Sequence, residues 1–186
     1  ALSDRILGDV EKLISFHQDI SRKGSEKKFK GGLSDHSNEV VRFHTATHIL
    51  NKALKEVLGD HVTQIGSNIT SERLRFDFPH KSKLTEDEIK KVEDRVNEII
   101  DEKLPVNFVI LDKKDAVQCG AAHLEGENYP DKVKVYFIGE SLESGVSVEF
   151  CGGPHVRNTG EIGHIEIYKQ DKIGEGKMRV YARFKD

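Results

Sequence analysis

The sequence predicts an α+β fold, an antiparallel sheet packed with one long helix and a second amphipathic helix. Three observations carry that prediction. Apolar residues recur at helical spacing mainly in the first half of the chain. In the second half they alternate over short runs. Those runs follow one another closely, which suits hairpins between antiparallel neighbours. No internal repeat is visible.

The elements follow in order. "RILGDVEKLISFHQDISR", residues 5–22, places Ile6, Leu7, Val10, Leu13, Ile14 and Ile20 at helical spacing. "KGSEKKFKGGLSDHS" is rich in Gly, Ser and Lys and reads as a connector. Residues 1–36 are therefore expected to be a helix and linker, and 37–186 the main domain. A long helix runs from Asn38 to Leu58, with Val41, Ile49, Leu50, Ala53, Leu54, Val57 and Leu58 on its apolar face. Asp35 and Ser37 offer N-caps, and Gly59 stands where a C′ glycine belongs. "RLRFDF" alternates Leu74, Phe76 and Phe78 and reads as a strand. Thr85 and Glu88 form a capping box before Ile89, Val92, Val96, Ile99 and Ile100, a second helix that ends before Pro105. "VNFVI", "KVKVYFI", "VSVEF", "HIEIY" and "MRVYARF" read as strands, interrupted by a short helix, "KKDAVQCGA".

Composition narrows the function. The chain is 36% hydrophobic and 33% charged, polar for a globular protein yet able to bury a core. Basic residues number 29 against 32 acidic, a net charge of -3, whereas a dedicated nucleic-acid domain is usually basic. A nucleic-acid partner must then be held by local patches, or with help from another domain. No apolar run approaches the ~20 residues of a membrane helix, and the N-terminus lacks a signal-peptide core. Cys119 and Cys151 are too few for a disulfide framework, so a reduced, cytoplasmic protein with no membrane partner is expected.

"EFCGGPHVRNTGEIG" sets Cys151 four residues before His155. Alone, that pair means little. Its partner is "HTATH": His44 and His48 are four apart on the long helix and project from one face. The helix fixes them, so little ordering entropy remains to be lost on binding an ion. Gly152 and Gly153 give the later turn freedom to bring Cys151 and His155 inward, and Pro154 stiffens it. Thiolate and imidazole suit zinc better than magnesium or calcium, which prefer oxygen. Helical His-x-x-x-His is common by chance, and position 45 is Thr, so the metalloprotease pattern is excluded. His17, His36, His61, His80, His123 and His164 lack such spacing and read as surface or structural residues. Cys119, in an apolar helical stretch, reads as a buried small residue.

"HTATHIL", "QIGSNITSERLRFDF" and "CGGPHVRNTGEIG", in this order and spacing, resemble the editing domain of alanyl-tRNA synthetase, which also occurs as free-standing AlaX-type trans-editing proteins. "FKGGLSDHS" and the pair Gly120–Ala121 fit the same pattern, and the resemblance spans residues 28–182. It implies a zinc ion held by His44, His48, Cys151 and His155, and an amino-acid pocket lined by Thr47 and Gln64. Ser67 and Asp77 fall within the motifs without an assigned role. The chain also departs from the pattern. Most alanyl editing domains carry Thr where Pro154 stands; proline there is similar to the editing domain of bacterial threonyl-tRNA synthetase. That family, however, usually has Arg at the position of Gly152 and lacks the second motif. The usual "GVRRI" is "GKMRV" here, so only Arg179 matches, and "AHLEGENY" replaces the more apolar "ALFGEKY".

The implied reaction is hydrolysis of the ester joining a wrong amino acid to tRNA(Ala): serine first, glycine as a second expected error. Serine is alanine plus a hydroxyl, and a small synthetic pocket rejects such an analogue weakly, so a second site must prefer the hydroxyl. Thr47 and Gln64 suit that preference. Correct alanine would leave them unpaired, at a cost of about 1–3 kcal/mol if they are buried. Zinc lowers the pKa of bound water or polarises the carbonyl in an open site, whereas four protein ligands describe a closed, structural one. The sequence leaves that choice open. Partners implied are the tRNA acceptor end and, if the chain is a piece of a longer protein, the remainder of alanyl-tRNA synthetase. Lys28, Lys30, Arg73, Arg75 and Arg179 are the candidate phosphate contacts, in a domain whose charge implies weak, salt-sensitive tRNA affinity. Two other readings stand beside this one: threonyl-type editing of Ser-tRNA(Thr), hinted at by Pro154, and a non-catalytic zinc-stabilised tRNA-binding module, against which Thr47 and Gln64 argue.

Overall fold

The computed structural model describes residues 33–124 and 128–185. The helix expected over residues 5–22, and Lys28 and Lys30, lie outside the described residues. At the start, Leu33 bridges Ile69 and the Ser34 N–H donates to the Ile69 carbonyl at 3.0 Å.

Helix α1 spans Asn38–Leu58. Ser37 is its N-cap residue but makes no side-chain cap bond; Asp35 Oδ1 instead accepts from the Ser37 N–H at 2.7 Å. Gly59, at φ 112°, closes the other end with its N–H on the Lys55 carbonyl. The positive φ is why glycine suits that position. The buried face carries Val40, Phe43, Ala46, Ile49, Leu50, Ala53 and Leu54. Val41, Val57 and Leu58, expected on it, are only partly buried. Helix α2, Glu86–Asp101, opens with the expected capping box: the Glu88 N–H donates to Thr85 Oγ1 at 3.2 Å, and the Thr85 N–H to Glu88 Oε2 at 2.8 Å. Val92, Val96, Ile99 and Ile100 face the core shared with α1.

The strands form two antiparallel sheets where the sequence suggested one. Strands β1 (Gly66–Ile69), β2 (Leu74–Pro79), β6 (Ile165–Gly174) and β7 (Lys177–Phe184) make the first, in the order β1-β2-β7-β6. Strands β3 (Val106–Asp112), β4 (Lys132–Ile138) and β5 (Ser147–Phe150) make the second. Alternation reveals which face of a strand is apolar but not which strand is its neighbour, so the division was invisible. Strand β1, "GSNI", was missed because it is short and most of its residues favour turns. The large core lies between the two long helices and the four-stranded sheet. A smaller one, around Ala116, Ala121, Val133 and Val135, lies under helix α3, Lys113–Gln118.

Cys119 is exposed, not buried as expected. Helix α3 is six residues long and buries only Ala116; Cys119 falls just past its end as the C-cap residue.

Strand β5 brings the two sequence motifs together. Its side chains alternate, so Ser147 and Glu149 share a face, and Cys151 follows two residues after Glu149. Glu149 pairs across the sheet with Tyr136, which pairs with Phe108. That face looks toward α1.

Candidate metal centre

His44, His48, Cys151 and His155 meet, each offering one ligand atom, with all four atoms within 4.8 Å of one another. Among the described residues this is the one such group of His, Cys, Asp or Glu. Cys151 Sγ lies 3.3 Å from His44 Nε2 and 3.2 Å from His155 Nε2. Across a tetrahedral zinc ion with ordinary Zn–S and Zn–N bonds, ligand atoms stand about 3.3–3.6 Å apart. The two sulfur–nitrogen distances are close to that, and the whole set lies within 4.8 Å.

The far nitrogens of His44 and His155 are hydrogen-bonded, and that of His48 lies near a carboxylate. His44 Nδ1 donates to the Pro154 carbonyl at 2.8 Å. Thr45 Oγ1 donates to the Val41 carbonyl at 3.3 Å, so its lone pairs accept from the Val156 N–H and from His155 Nδ1, both at 3.1 Å. His48 Nδ1 lies 3.4 Å from Glu149 Oε2. An imidazole whose Nδ1 carries the proton has its lone pair on Nε2. Outer acceptors of this kind orient metal-ligating histidines. Neither Thr45 nor Glu149 was singled out in the sequence, although each adjoins a ligand: Thr45 follows His44, and Glu149 is two residues before Cys151.

Burial keeps the three imidazoles neutral and the thiol protonated. It pushes His44 down to about 3, with His48 nearby adding to the effect, and His48 down to about 4. His155 is lowered by burial first and by the other two rings second. The Cys151 thiol is pushed up to about 11 by burial. Three neutral imidazoles thus turn their lone pairs toward one sulfur in a desolvated space, an arrangement that a soft divalent cation satisfies. The residues present fit zinc.

The turn that delivers Cys151 and His155 is sterically tight at one glycine. Gly153 has φ 71°, and a Cβ there would sit 2.5 Å from the Tyr136 hydroxyl. Gly152 is different: a Cβ there meets nothing within 4 Å, so packing does not enforce the departure from arginine. Tyr136 also lies against His155, with ring centroids 4.3 Å apart, and Lys134 Nζ lies 5.5 Å from the Tyr136 ring centre. The rest of the motif is structural. Asn158 Oδ1 caps a short 3-10 turn, Thr159–Glu161, by accepting from the Gly160 N–H, and Thr159 Oγ1 donates to the Ile99 carbonyl at the end of α2. Gly163, φ 77°, leaves room for Arg42, whose Nε donates to the Ile162 carbonyl at 2.8 Å.

The other predicted residues are dispersed. Thr47 lies on the His44–His48 face of α1, is 3% exposed, and donates its hydroxyl to the Phe43 carbonyl at 2.8 Å. Gln64 precedes β1, is partly buried, and donates from Nε2 to Ser67 Oγ at 3.2 Å. Arg179 is committed within the fold: Nε and Nη2 grip the two Asp77 oxygens, each at 2.8 Å. Arg75 Nε stands 3.5 Å from the same carboxylate, too far for a hydrogen bond, and has no hydrogen-bond partner. Arg73 bonds to Asn68 at its carbonyl and side chain and lies 5.6 Å from the Tyr181 ring centre. No helix among the described residues is long and apolar enough to cross a membrane.

Known proteins resemble this chain in sequence. Residues 133–181 match the family described as the threonyl and alanyl tRNA synthetase second additional domain. An alanine–tRNA ligase of Borrelia hermsii is 53% identical over 166 residues, covering 89% of this chain and 27% of that protein. One from Treponema denticola is 52% identical over 174 residues, covering 94% and 28%. One from Shouchella clausii is 46% identical over 144 residues, covering 77% and 16%. The chain thus spans little more than a quarter of the length of the first two relatives. Residues 133–181 therefore carry the threonyl and alanyl tRNA synthetase second additional domain, within a chain homologous to one segment of the alanine–tRNA ligases.

Proposed function

We propose that this chain is the editing unit of an alanyl-tRNA synthetase, hydrolysing the ester of Ser-tRNA(Ala), with Gly-tRNA(Ala) as a second substrate, in the cytoplasm. The observation that carries this reading is the set of three imidazoles and one thiol, two of them buried and two partly buried, built from the two motifs that the resemblance rests on. His44, His48, Cys151 and His155 would hold zinc, which supplies there either a Lewis acid for the ester or an anchor for the pocket.

This reading gives the amino-acid preference to Thr47 and Gln64. Thr47 spends its proton on the Phe43 carbonyl, so toward a ligand its oxygen is an acceptor. A serine hydroxyl supplies the missing proton; an alanine methyl does not. Gln64 has one amide hydrogen on Ser67 and keeps its second N–H and its carbonyl for the substrate. Leaving either group unpaired around alanine costs about 1–3 kcal/mol, roughly a five- to 150-fold preference. Glycine removal needs another cause, since it lacks the hydroxyl. For the tRNA backbone, Arg73, Arg75, Lys28 and Lys30 remain the candidates, while the grip of Arg179 on Asp77 assigns it to supporting β2 and β7.

The test is deacylation of Ser-tRNA(Ala) and Ala-tRNA(Ala) by the purified chain, by a chelator-stripped sample, and by that sample restored with zinc. Fast loss of serine, slow loss of alanine and recovery with zinc are expected. Gln64→Ala should fold and bind metal normally but lose about tenfold or more of the serine preference. Hydrolysis of neither ester by a folded, zinc-loaded chain would sink the reading and favour a binding module. Equal action on Ser-tRNA(Thr) would move the substrate to the threonyl side.

A further inference from the structure

The third histidine lock differs from the other two. His44 and His155 lean on a neutral carbonyl and a hydroxyl, but His48 faces a carboxylate. Glu149 is deep in the fold, its side chain only 12% exposed, and no lysine or arginine pairs with it among the described residues. It is nevertheless well provided with donors. Asn51 Nδ2 donates to Oε1 at 3.2 Å, and Ser147 Oγ donates to the same oxygen at 3.0 Å. Turning Nδ2 to Glu149 leaves Asn51 Oδ1 buried and without a partner. A buried unpaired amide oxygen is costly, so the bond to Glu149 governs how that amide is oriented.

The geometry of the two elements is matched. Helix α1 presents His44, His48 and Asn51 on one face, and β5 and its extension present Ser147, Glu149 and Cys151 at every second residue. Each ligand-bearing element therefore supplies a ligand and a group that holds the carboxylate. Charge gives the reason. A divalent ion with one thiolate and three neutral imidazoles carries a net charge of +1. Such a charge is expensive to bury without a counter-charge.

We propose that Glu149 is the positioning residue of this metal centre: its carboxylate fixes His48 with Nε2 toward the ion and balances the charge of the loaded site, with Asn51 and Ser147 holding it in place. The inference rests on the metal reading of the cluster but not on the substrate.

The experiment measures zinc affinity by competition with a chromophoric chelator for the wild type, Glu149→Gln and Ser147→Ala. The metal-free melting temperature of each is recorded alongside. Glutamine keeps the volume and can still accept from His48, but it removes the charge and turns an amide toward a hydrogen-bond donor. A loss of about 10- to 100-fold in zinc affinity is expected for Glu149→Gln, with the metal-free melting temperature unchanged or raised. Ser147→Ala, which removes one holding bond, should lose affinity by a smaller factor. Zinc binding by Glu149→Gln within about threefold of wild type overturns the proposal, as does a loss of affinity that merely tracks a lowered metal-free stability. If Glu149→Gln does not fold, Ser147→Ala decides: unchanged affinity there overturns it as well. Because the readout is metal affinity, a chain that binds zinc as described but deacylates nothing defeats the proposed function and leaves this inference standing.

Discussion

Two buried polar clusters sit in this fold, and they differ in what they lack. At β2 and β7, Asp77 is 6% exposed and is gripped by Arg179 through two bonds, with Arg75 close by. Opposite charges meet there, and Asp77 has its partner within the fold. At α1 and β5, His44, His48, Cys151 and His155 turn ring nitrogens and a sulfur toward one another, with no cationic side chain among the four. The first cluster joins strands; the second calls for a ligand. Which sign of charge is missing from a buried cluster separates structure from site better than the presence of polar residues does.

The largest effect expected in testing this contrast is at the second cluster. His48→Ala removes a ligand and should abolish stoichiometric zinc binding, read by metal analysis after dialysis, while the metal-free fold persists. Retention of one zinc per chain would break the comparison from that side. Asp77→Ala attacks the other cluster. It strands Arg179 and should lower stability by about 3 kcal/mol, read by urea unfolding, with zinc stoichiometry unchanged.

A pH series sharpens the contrast further. In the folded, metal-free chain, burial holds His44 and His48 at about 3 and 4, below the ordinary histidine value near 6.5. Folded pKa values below unfolded ones mean that the unfolded chain takes up protons first. The stability these two rings contribute is therefore full above about pH 6.5 and is lost as the pH falls through 4 and 3, while Glu149, pushed up to about 7 by burial, offsets part of the decline. Urea unfolding of chelator-stripped protein should show this decline, and it should be shallower in His44→Phe. A control of smaller size is Thr85→Ala, which loses the α2 capping box and should cost about 1 kcal/mol without altering zinc binding.

Much of this was legible in the sequence, for identifiable reasons. Both long helices announced themselves by periodicity and by local end signals, Gly59 at one and the Thr85–Glu88 box at the other. The His44–His48 spacing is meaningful because a helix fixes it, and "CGGPH" because a tight turn does. What remained hidden depends on contacts distant in sequence. The split into two sheets depends on which strand lies beside which. The exposure of Cys119 depends on where a six-residue helix stops. Arg179 reads as a free cation in the sequence because its partner, Asp77, lies far away in the chain. Thr45 and Glu149 lie beside the ligands in sequence, yet Ser, Thr and Glu near a histidine are too common to signal anything until distances are known.

The central claim is that the imidazole–thiol cluster is a metal centre. Cobalt titrated into the chelator-stripped chain, followed by absorption, tests it most directly. One equivalent should bind, with the intense visible bands of a tetrahedral ion and a thiolate charge-transfer band that disappears in Cys151→Ser. No saturable binding, or a spectrum indifferent to Cys151→Ser, would contradict the account.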